Sequence, residues 1–234
     1  SNVQHSTRAL LSHDIAHLLP TDQGFTLTVG GDYLRDYLMS YQFGGQSHVQ
    51  HSADAFAQAD WTLSPQWEIL GALRYDHFSQ GEHAHVTSKI SARFRQESFT
   101  YRAGYGQGFR APTLKERFMH FPVTGLFVLR GNENLRAERS DNFHASVDWQ
   151  QHRWLLSAAV AYNLVRQRIT TAPPSMEREK QSGLPYINYI NLPRLYAFSL
   201  QCSAQNSWHL GLGTLGARLN YAYTQEKVPQ GNAL

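Results

Sequence analysis

The sequence of 234 residues contains a single cysteine, Cys202, and no long hydrophobic run. One cysteine excludes an internal disulfide and a cysteine-based zinc site. No segment approaches the ~20 apolar residues that a membrane-spanning helix requires. A transmembrane β-strand needs only about 10 residues, half of them polar. A mean hydropathy of −0.46 therefore does not exclude a transmembrane β-barrel.

Charge is also scarce. Charged residues make up 17 % of the chain, the net charge is +3, and the basic residues are scattered singly. Without a Lys/Arg run, nucleic-acid binding is disfavoured. The chain shows no zincin helix motif, nucleophile elbow or phosphate-binding loop, and we find no catalytic constellation. The sequence therefore predicts a protein that is not an enzyme.

What the chain does contain is alternation of apolar and polar residues with a period of two. Between residues 142 and 150, Phe143, Ala145, Val147 and Trp149 share one face, and the intervening residues are mostly polar. This period is typical of strands with two different faces. It predicts an all-β fold, an antiparallel meander of about ten long strands: 5–18, 24–39, 50–62, 66–79, 84–96, 98–108, 138–151, 153–168, 186–205 and 209–225.

The connections between these strands alternate in length. Short turns are predicted near 20–23, 64–65, 97 and 151–152, and longer connections at 40–49, 80–83, 108–137 and 168–185. Short turns on one side and long loops on the other are typical of outer-membrane barrels. Aromatic residues near strand ends, such as Trp67 and Trp154, favour an interfacial girdle. The segment 170–183, with two prolines and mixed charges, is predicted to be a mobile external loop.

The longest of these connections carries the densest local signals. Pro112 lacks a ladder donor, so the strand before it must end. Thr113 and Glu116 have the spacing of a capping box, which predicts a short helix over 114–119. Arg110 has two possible roles: its guanidinium either ties the loop together through several hydrogen bonds or holds an anionic ligand.

A polar turn is predicted at the end of this connection, before the strand at 138–151. Gly131 permits a positive φ, and the side chains of Asn132 and Asn134 can satisfy backbone groups of the turn. Glu138 and Arg139 are then placed to pair with Arg110 and Glu116.

The residues on the two sides of this connection resemble the barrel of TonB-dependent outer-membrane receptors. Phe109-Arg110-Ala111-Pro112 resembles the FRAP box of that family. Asn132-Glu133-Asn134-Leu135, followed by Glu138 and Ser140, resembles its NPxL box, with Glu133 where the family usually has proline.

This resemblance implies a 22-stranded transmembrane β-barrel in the outer membrane of a Gram-negative bacterium. An N-terminal plug fills such a barrel, and TonB energises it. Residues 1–234 are therefore expected to be a partial barrel domain without the plug. The chain has no signal-peptide pattern and ends on 231–234 rather than on a terminal aromatic residue, so an internal piece is expected. An isolated piece is expected to close on itself or to self-associate.

The resemblance also suggests a ligand site. Haem-transporting members of the family commonly have a haem-binding histidine between the two boxes, and His120 lies there. Imidazole is a good iron ligand, and Phe118 and Phe121 are placed to cover a porphyrin face. Similar boxes occur in receptors for cobalamin and siderophores, so the resemblance does not identify the cargo. No cofactor is required, and haem or an iron chelate is expected only as cargo.

The leading hypothesis is a receptor fragment for uptake of a bulky, scarce nutrient, with TonB, outer-membrane lipid and the nutrient as partners. Three alternatives remain. One is a structural or adhesion barrel without transported ligand. The others are an outer-membrane hydrolase, for which no Ser or Asp paired with histidine stands out, and a soluble β-sandwich that binds glycans.

Overall fold

The chain folds almost entirely into strands. The computed structural model describes residues 3–14, 24–39, 46–81, 83–123, 125–175, 177–178, 183–211 and 213–229. Within these ranges there are twelve β-strands and one short α-helix. The elements are β1 (Val3–Asp14), β2 (Phe25–Met39), β3 (Ser47–Thr62), β4 (Trp67–Phe78), β5 (Ala84–Gln96), β6 (Phe99–Arg110), α1 (Leu114–Phe118), β7 (His120–Val123), β8 (Phe127–Arg130), β9 (Glu138–Gln151), β10 (Trp154–Thr171), β11 (Tyr186–Leu210) and β12 (Gly213–Lys227).

Ten of the strands described here are long and follow one another as an antiparallel meander. Each pairs with its neighbour in the chain, except that β6 pairs directly with β9 across the intervening loop. This confirms the predicted ten-strand meander. Among the residues in the structure, β1 pairs only with β2 and β12 only with β11, so the barrel is not closed in this chain.

The two remaining strands, β7 and β8, were not predicted. They form a hairpin of two four-residue strands within the connection 108–137, and β8 pairs in parallel with the start of β11. Each is too short for a clear period of two, and Pro122 argues against a strand. Pro122 is tolerated because β7 lies at the edge of the strand order.

Two of the turns follow the prediction closely. Glu97 and His152 adopt positive φ values of 52° and 55°, which reverse the chain within two residues. The predicted turn at 20–23 and the residues 15–18 and 231–234 lie outside the described residues, as do most of 40–49 and parts of 170–183. Of that last segment, residues 170 and 171 belong to β10.

The sheet has two different faces. The apolar face contains Phe143, Ala145 and Val147 of β9 and the residues in register with them. Across β6, β9, β10 and β11 it continues, for example, as the row Tyr105, Phe143, Tyr162, Phe198. Phe143 is 48 % exposed and Leu219 is 73 % exposed, so this face is not packed into a protein core.

Aromatic rings border the apolar face at the short-turn end. Trp67 lies 4.6 Å from Phe94, and Phe94 lies 6.2 Å from Tyr101, between ring centroids. Phe25 and Trp61 meet edge to face at 6.4 Å. A band of rings along one rim of an apolar surface is the arrangement of an interfacial girdle.

The opposite, charged face carries ion pairs between neighbouring strands. Arg74 Nη2 lies 2.9 Å from both Asp54 Oδ2 and Asp76 Oδ1. Further pairs join Arg93 to Glu68 and Arg102 to Asp148. The predicted division of the strands into two faces is therefore confirmed for these strands. Towards the loop end, Asp141 and Arg166 form an ion pair on the side of the apolar face.

No helix within the described part of the chain is long or apolar enough to cross a membrane.

Candidate functional site

The most elaborate structure lies between β6 and β9, at the end of the sheet opposite the two-residue turns. We call residues 111–137 the β6–β9 loop. It contains α1, the β7–β8 hairpin and the polar turn that leads into β9. Leu114, Val128, Leu135 and Ala137 of this loop are buried.

Arg110, at the end of β6, joins the two ends of the loop. Its Nη1 donates to both carboxylate oxygens of Glu116, at 3.0 Å each, and its Nη2 lies 3.4 Å from Glu138 Oε2. Glu138 Oε2 also accepts from the backbone N–H of Ile169 at 3.0 Å. The guanidinium thus connects β6, α1 and β9, and Glu138 extends the connection to β10.

The helix begins as the capping-box spacing predicts. Glu116 N–H donates to Thr113 Oγ1 at 3.2 Å, and Thr113 N–H donates to Glu116 Oε2 at 2.8 Å. This reciprocal pair satisfies two of the backbone donors that a helix leaves free at its start. Glu116 therefore serves the helix cap and Arg110 together.

The side chains of Asn132 and Asn191 fix the polar turn that leads from the loop into β9. Asn132 Nδ2 donates to Tyr189 O at 2.9 Å, and Asn132 Oδ1 accepts from Asn134 N–H at 3.0 Å. Asn191 Oδ1 accepts from Arg136 N–H at 2.8 Å, and Asn191 Nδ2 donates to Arg136 O at 3.0 Å. The turn is thereby bonded to β11 by side chains as well as by the β8 pairing.

Glycine and glutamate have specific positions in this turn. Gly131 does not adopt the positive φ that the sequence suggested. Glycine is required instead because a Cβ there would lie 2.5 Å from the backbone carbonyl of Arg117. The carbonyl oxygen of Glu133, where the family usually has proline, accepts from Arg117 Nη2 at 3.1 Å. This hydrogen bond constrains a turn that proline would otherwise stiffen.

A polar cleft of about 540 Å³ opens beside the loop. The His48 ring of β3 stacks on Phe118 with centroids 3.9 Å apart. The cleft is lined by Gln46, His48, Arg117, Phe118, Met119, His120, Arg130, Gly131, Asn132, Glu133 and Asn134.

The four residues predicted to bind ligand are not brought together. His120 and Phe118 line the cleft, with His120 exposed. Phe121 follows His120 in β7 and points to the other side of the strand. Arg110 is engaged with Glu116 and Glu138. Their ligand-binding roles stay predictions. Within the described ranges no three His, Cys, Asp or Glu side chains are grouped to hold a metal ion.

The residues predicted to be structural occupy the loop ends. Phe109 stacks on His85 with centroids 4.2 Å apart, and Pro112 is buried. Leu135 is 7 % exposed, and Asn132 and Asn134 form the polar turn. Ala111, at the loop entrance, is half-buried.

Sequence reasoning missed His48, Arg117 and Arg130 of the cleft. His48 belongs to a distant strand and gave no signal. Arg130 lies opposite His120 in the β7–β8 hairpin. The sequence signal for the β7–β8 hairpin was Gly125, which stands between two apolar runs and adopts a φ of 74° in the turn.

Comparison with known proteins agrees with this architecture. The family model described as TonB dependent receptor-like, beta-barrel matches residues 3–234. No curated protein matches the chain. Among solved structures, the siderophore receptor PirA from Pseudomonas aeruginosa superposes with a TM-score of 0.72 at 17 % identity, over 96 % of this chain and 44 % of that one.

Two further structures show the same fold. A mutant of the ferric enterobactin receptor PfeA from Pseudomonas aeruginosa gives a TM-score of 0.74 at 18 % identity, over 94 % of this chain and 36 % of that one. The copper transporter OprC gives 0.68 at 14 % identity, over 95 % and 37 %. The chain therefore spans less than half the length of each of these proteins.

Proposed function

This chain belongs to the TonB-dependent receptor-like β-barrel family, and we propose that it forms part of the wall of a receptor that takes up a bulky, scarce nutrient. Barrels of this family lie in the outer membrane of Gram-negative bacteria, and this is the location of the chain. The nutrient classes that we consider are iron chelates, haem and cobalamin. PirA, which shares the fold, is named as a siderophore receptor, and PfeA as a ferric enterobactin receptor.

One observation carries the proposal: the sheet separates a continuous apolar face from a face with cross-strand ion pairs. Hydrocarbon accepts the first and excludes the second, because a charged residue facing lipid near the midplane costs about 2–4 kcal/mol. The charged face is therefore the interior of the barrel. The β6–β9 loop stands at the end with the longer connections, where outer-membrane barrels have their external loops.

Uptake of this kind needs no bond to be made or broken, and the proposed selectivity is a matter of binding. Energy comes from TonB through the plug, which the family resemblance implies. In this proposal the chain supplies the wall and part of the external surface that the cargo meets first.

The proposal is tested in the source bacterium by deleting the gene that encodes the chain. Under iron limitation we expect growth and accumulation of radioactive iron to fall for at least one supplied chelate and to recover on complementation. A complemented strain with its TonB gene removed should lose the same uptake. Unchanged uptake of iron chelates, haem and cobalamin in the deletion strain would favour a structural or adhesion barrel instead.

The haem prediction has its own test. If the Nε2 or Nδ1 atom of His120 binds haem iron, titration of the full-length protein with haemin should shift the Soret band, and His120→Ala should abolish the shift. His83→Ala, outside the cleft, is the control. If haemin shifted the Soret band in His120→Ala as it does in the unaltered protein, the assignment of His120 as a haem ligand would be wrong. The receptor proposal would stay intact.

A further inference from the structure

Three arginines form a row at the loop end of the apolar face. Arg139 of β9 pairs directly with Arg166 of β10, and Arg166 pairs directly with Arg194 of β11. Directly opposed residues of antiparallel strands project to the same face of a sheet. That face is the apolar one, because Phe143 and Tyr162 lie four residues from the arginines of their own strands. We call these three residues the arginine row, and all three are exposed.

The position of the arginine row matches the external surface of a bilayer. The Tyr162 and Tyr196 rings, 6.4 Å apart between centroids, lie just below it on the apolar face, and tyrosine is enriched where lipid meets water. Arg166 follows Leu156, near the short-turn end of β10, by ten residues. At about 3.3 Å per residue and a strand tilt of about 40°, this separation is roughly 25 Å in height, which is the height of the apolar band of an outer-membrane barrel.

The arginine row carries more positive charge than its neighbours neutralise. Asp141 Oδ2 lies 2.9 Å from Arg166 Nη2. Within the described residues Arg194 forms no ion pair, and Lys227, which pairs with Tyr196, adds a cation diagonally next to Arg194 on the same face. Like charges directly opposite one another in a sheet are destabilising. An anion bound across the three strands would therefore stabilise this part of the sheet.

We propose that the arginine row binds the phosphate groups of a lipid in the outer leaflet of the outer membrane. The planar fork of arginine matches phosphate oxygens in a bidentate geometry, and clusters of basic residues at a membrane surface bind anionic head groups. A lipid is favoured over a soluble anion because the row continues the apolar face. Acyl chains of the bound lipid can then lie against Phe143 and Leu164 while its phosphates contact the guanidiniums. This inference goes beyond the proposed receptor function and does not depend on the cargo.

The test counts lipid molecules bound to the full-length protein by native mass spectrometry in a nonionic detergent. The probes are bisphosphorylated lipid A, the same lipid without its phosphates, and inorganic phosphate as a competitor. We expect the phosphorylated lipid to bind preferentially, and Arg194→Gln and Arg139→Gln each to weaken its binding about 10-fold. Arg194→Lys, which keeps the charge without the fork, should lose less than Arg194→Gln.

Arg35→Gln is the matched control. Arg35 of β2 is exposed on the same face and at the same end of the sheet, but its direct partners are Thr7 and His51 rather than arginines. We expect this variant to bind phosphorylated lipid A as the unaltered protein does. An equal loss in Arg35→Gln and Arg194→Gln would show only a general attraction between positive charge and lipid, and would overturn the proposal.

Arg194→Gln is the decisive variant, because within the described structure the Arg194 side chain makes no hydrogen bond or ion pair that the fold depends on. Equal affinity of phosphorylated lipid A for Arg194→Gln and the unaltered protein would overturn the proposal. So would equal binding of the lipid with and without its phosphates. Displacement of the lipid by an equimolar amount of inorganic phosphate would assign the row to a soluble anion instead. The uptake experiment is independent of these outcomes.

Discussion

The long strands and the β6–β9 loop differ in where their side chains find contacts. On the sheet, large apolar side chains such as Leu73, 60 % exposed, project away from the protein. In the loop, Val128 is completely buried and Leu135 is nearly so. The sheet is complete only with a surrounding bilayer, whereas the loop buries several apolar side chains against protein, including Leu114 against Leu38 of β2. A binding surface built on such a loop can keep its shape in water.

The largest expected effect tests the core of the loop. Leu135→Ala removes a buried side chain and should lower the local stability of the loop by about 2–5 kcal/mol. Hydrogen exchange at the Gly131 and Asn132 amides, bonded to Met119 O and Glu116 O, would report the loss. The matched control is Leu156→Ala on the apolar face, where Leu156 is 39 % exposed. Equal protection of these amides in both variants would contradict the distinction between the two regions.

The next effect tests the orientation of the sheet. Val160→Arg places a charge on the apolar face and should cost about 2–4 kcal/mol of stability in lipid if it lies near the midplane. Ser157→Arg, on the charged face of the same strand, should cost much less. Unfolding by denaturant of the full-length protein in lipid vesicles gives both values. A larger loss for Ser157→Arg would reverse the assignment of lipid and interior.

A smaller effect is expected at the helix cap. Thr113→Ala removes the acceptor for Glu116 N–H and should destabilise α1 by about 1 kcal/mol. Thr113→Ser keeps the hydroxyl and should behave as the unaltered protein does. Amide exchange at Glu116 measures both. If serine and alanine gave the same loss, the lost methyl group rather than the cap would be responsible.

The smallest effect is expected on the charged face. Arg93 and Glu68 are both partly exposed, so the pair should contribute less than about 1 kcal/mol. A double-mutant cycle with Arg93→Gln and Glu68→Gln, followed by denaturant unfolding, gives the coupling. A coupling of several kcal/mol would show that this face is drier than a water-filled or loosely filled interior.

The sheet could be predicted from the sequence because each strand carries its own two-faced pattern. Phe143, Val147 and Trp149 already mark one face without knowledge of any partner strand. The capping box and the strand end at Pro112 are likewise local signals. The parallel pairing of β8 with β11 is not local, because Val128 and Tyr186 are far apart in the sequence and pair only once the loop has folded. The cleft has the same cause: His48 and Phe118 come from different elements, and no short motif joins them.

The open edges of the described sheet have a consequence for how the barrel enters its membrane. β1 and β12 each leave one row of amide and carbonyl groups without a strand partner among the described residues. In hydrocarbon each unsatisfied group costs several kcal/mol. This sheet is therefore stable in a bilayer only when both of its edges are paired or covered. Pairing of the edges must come before insertion or together with it.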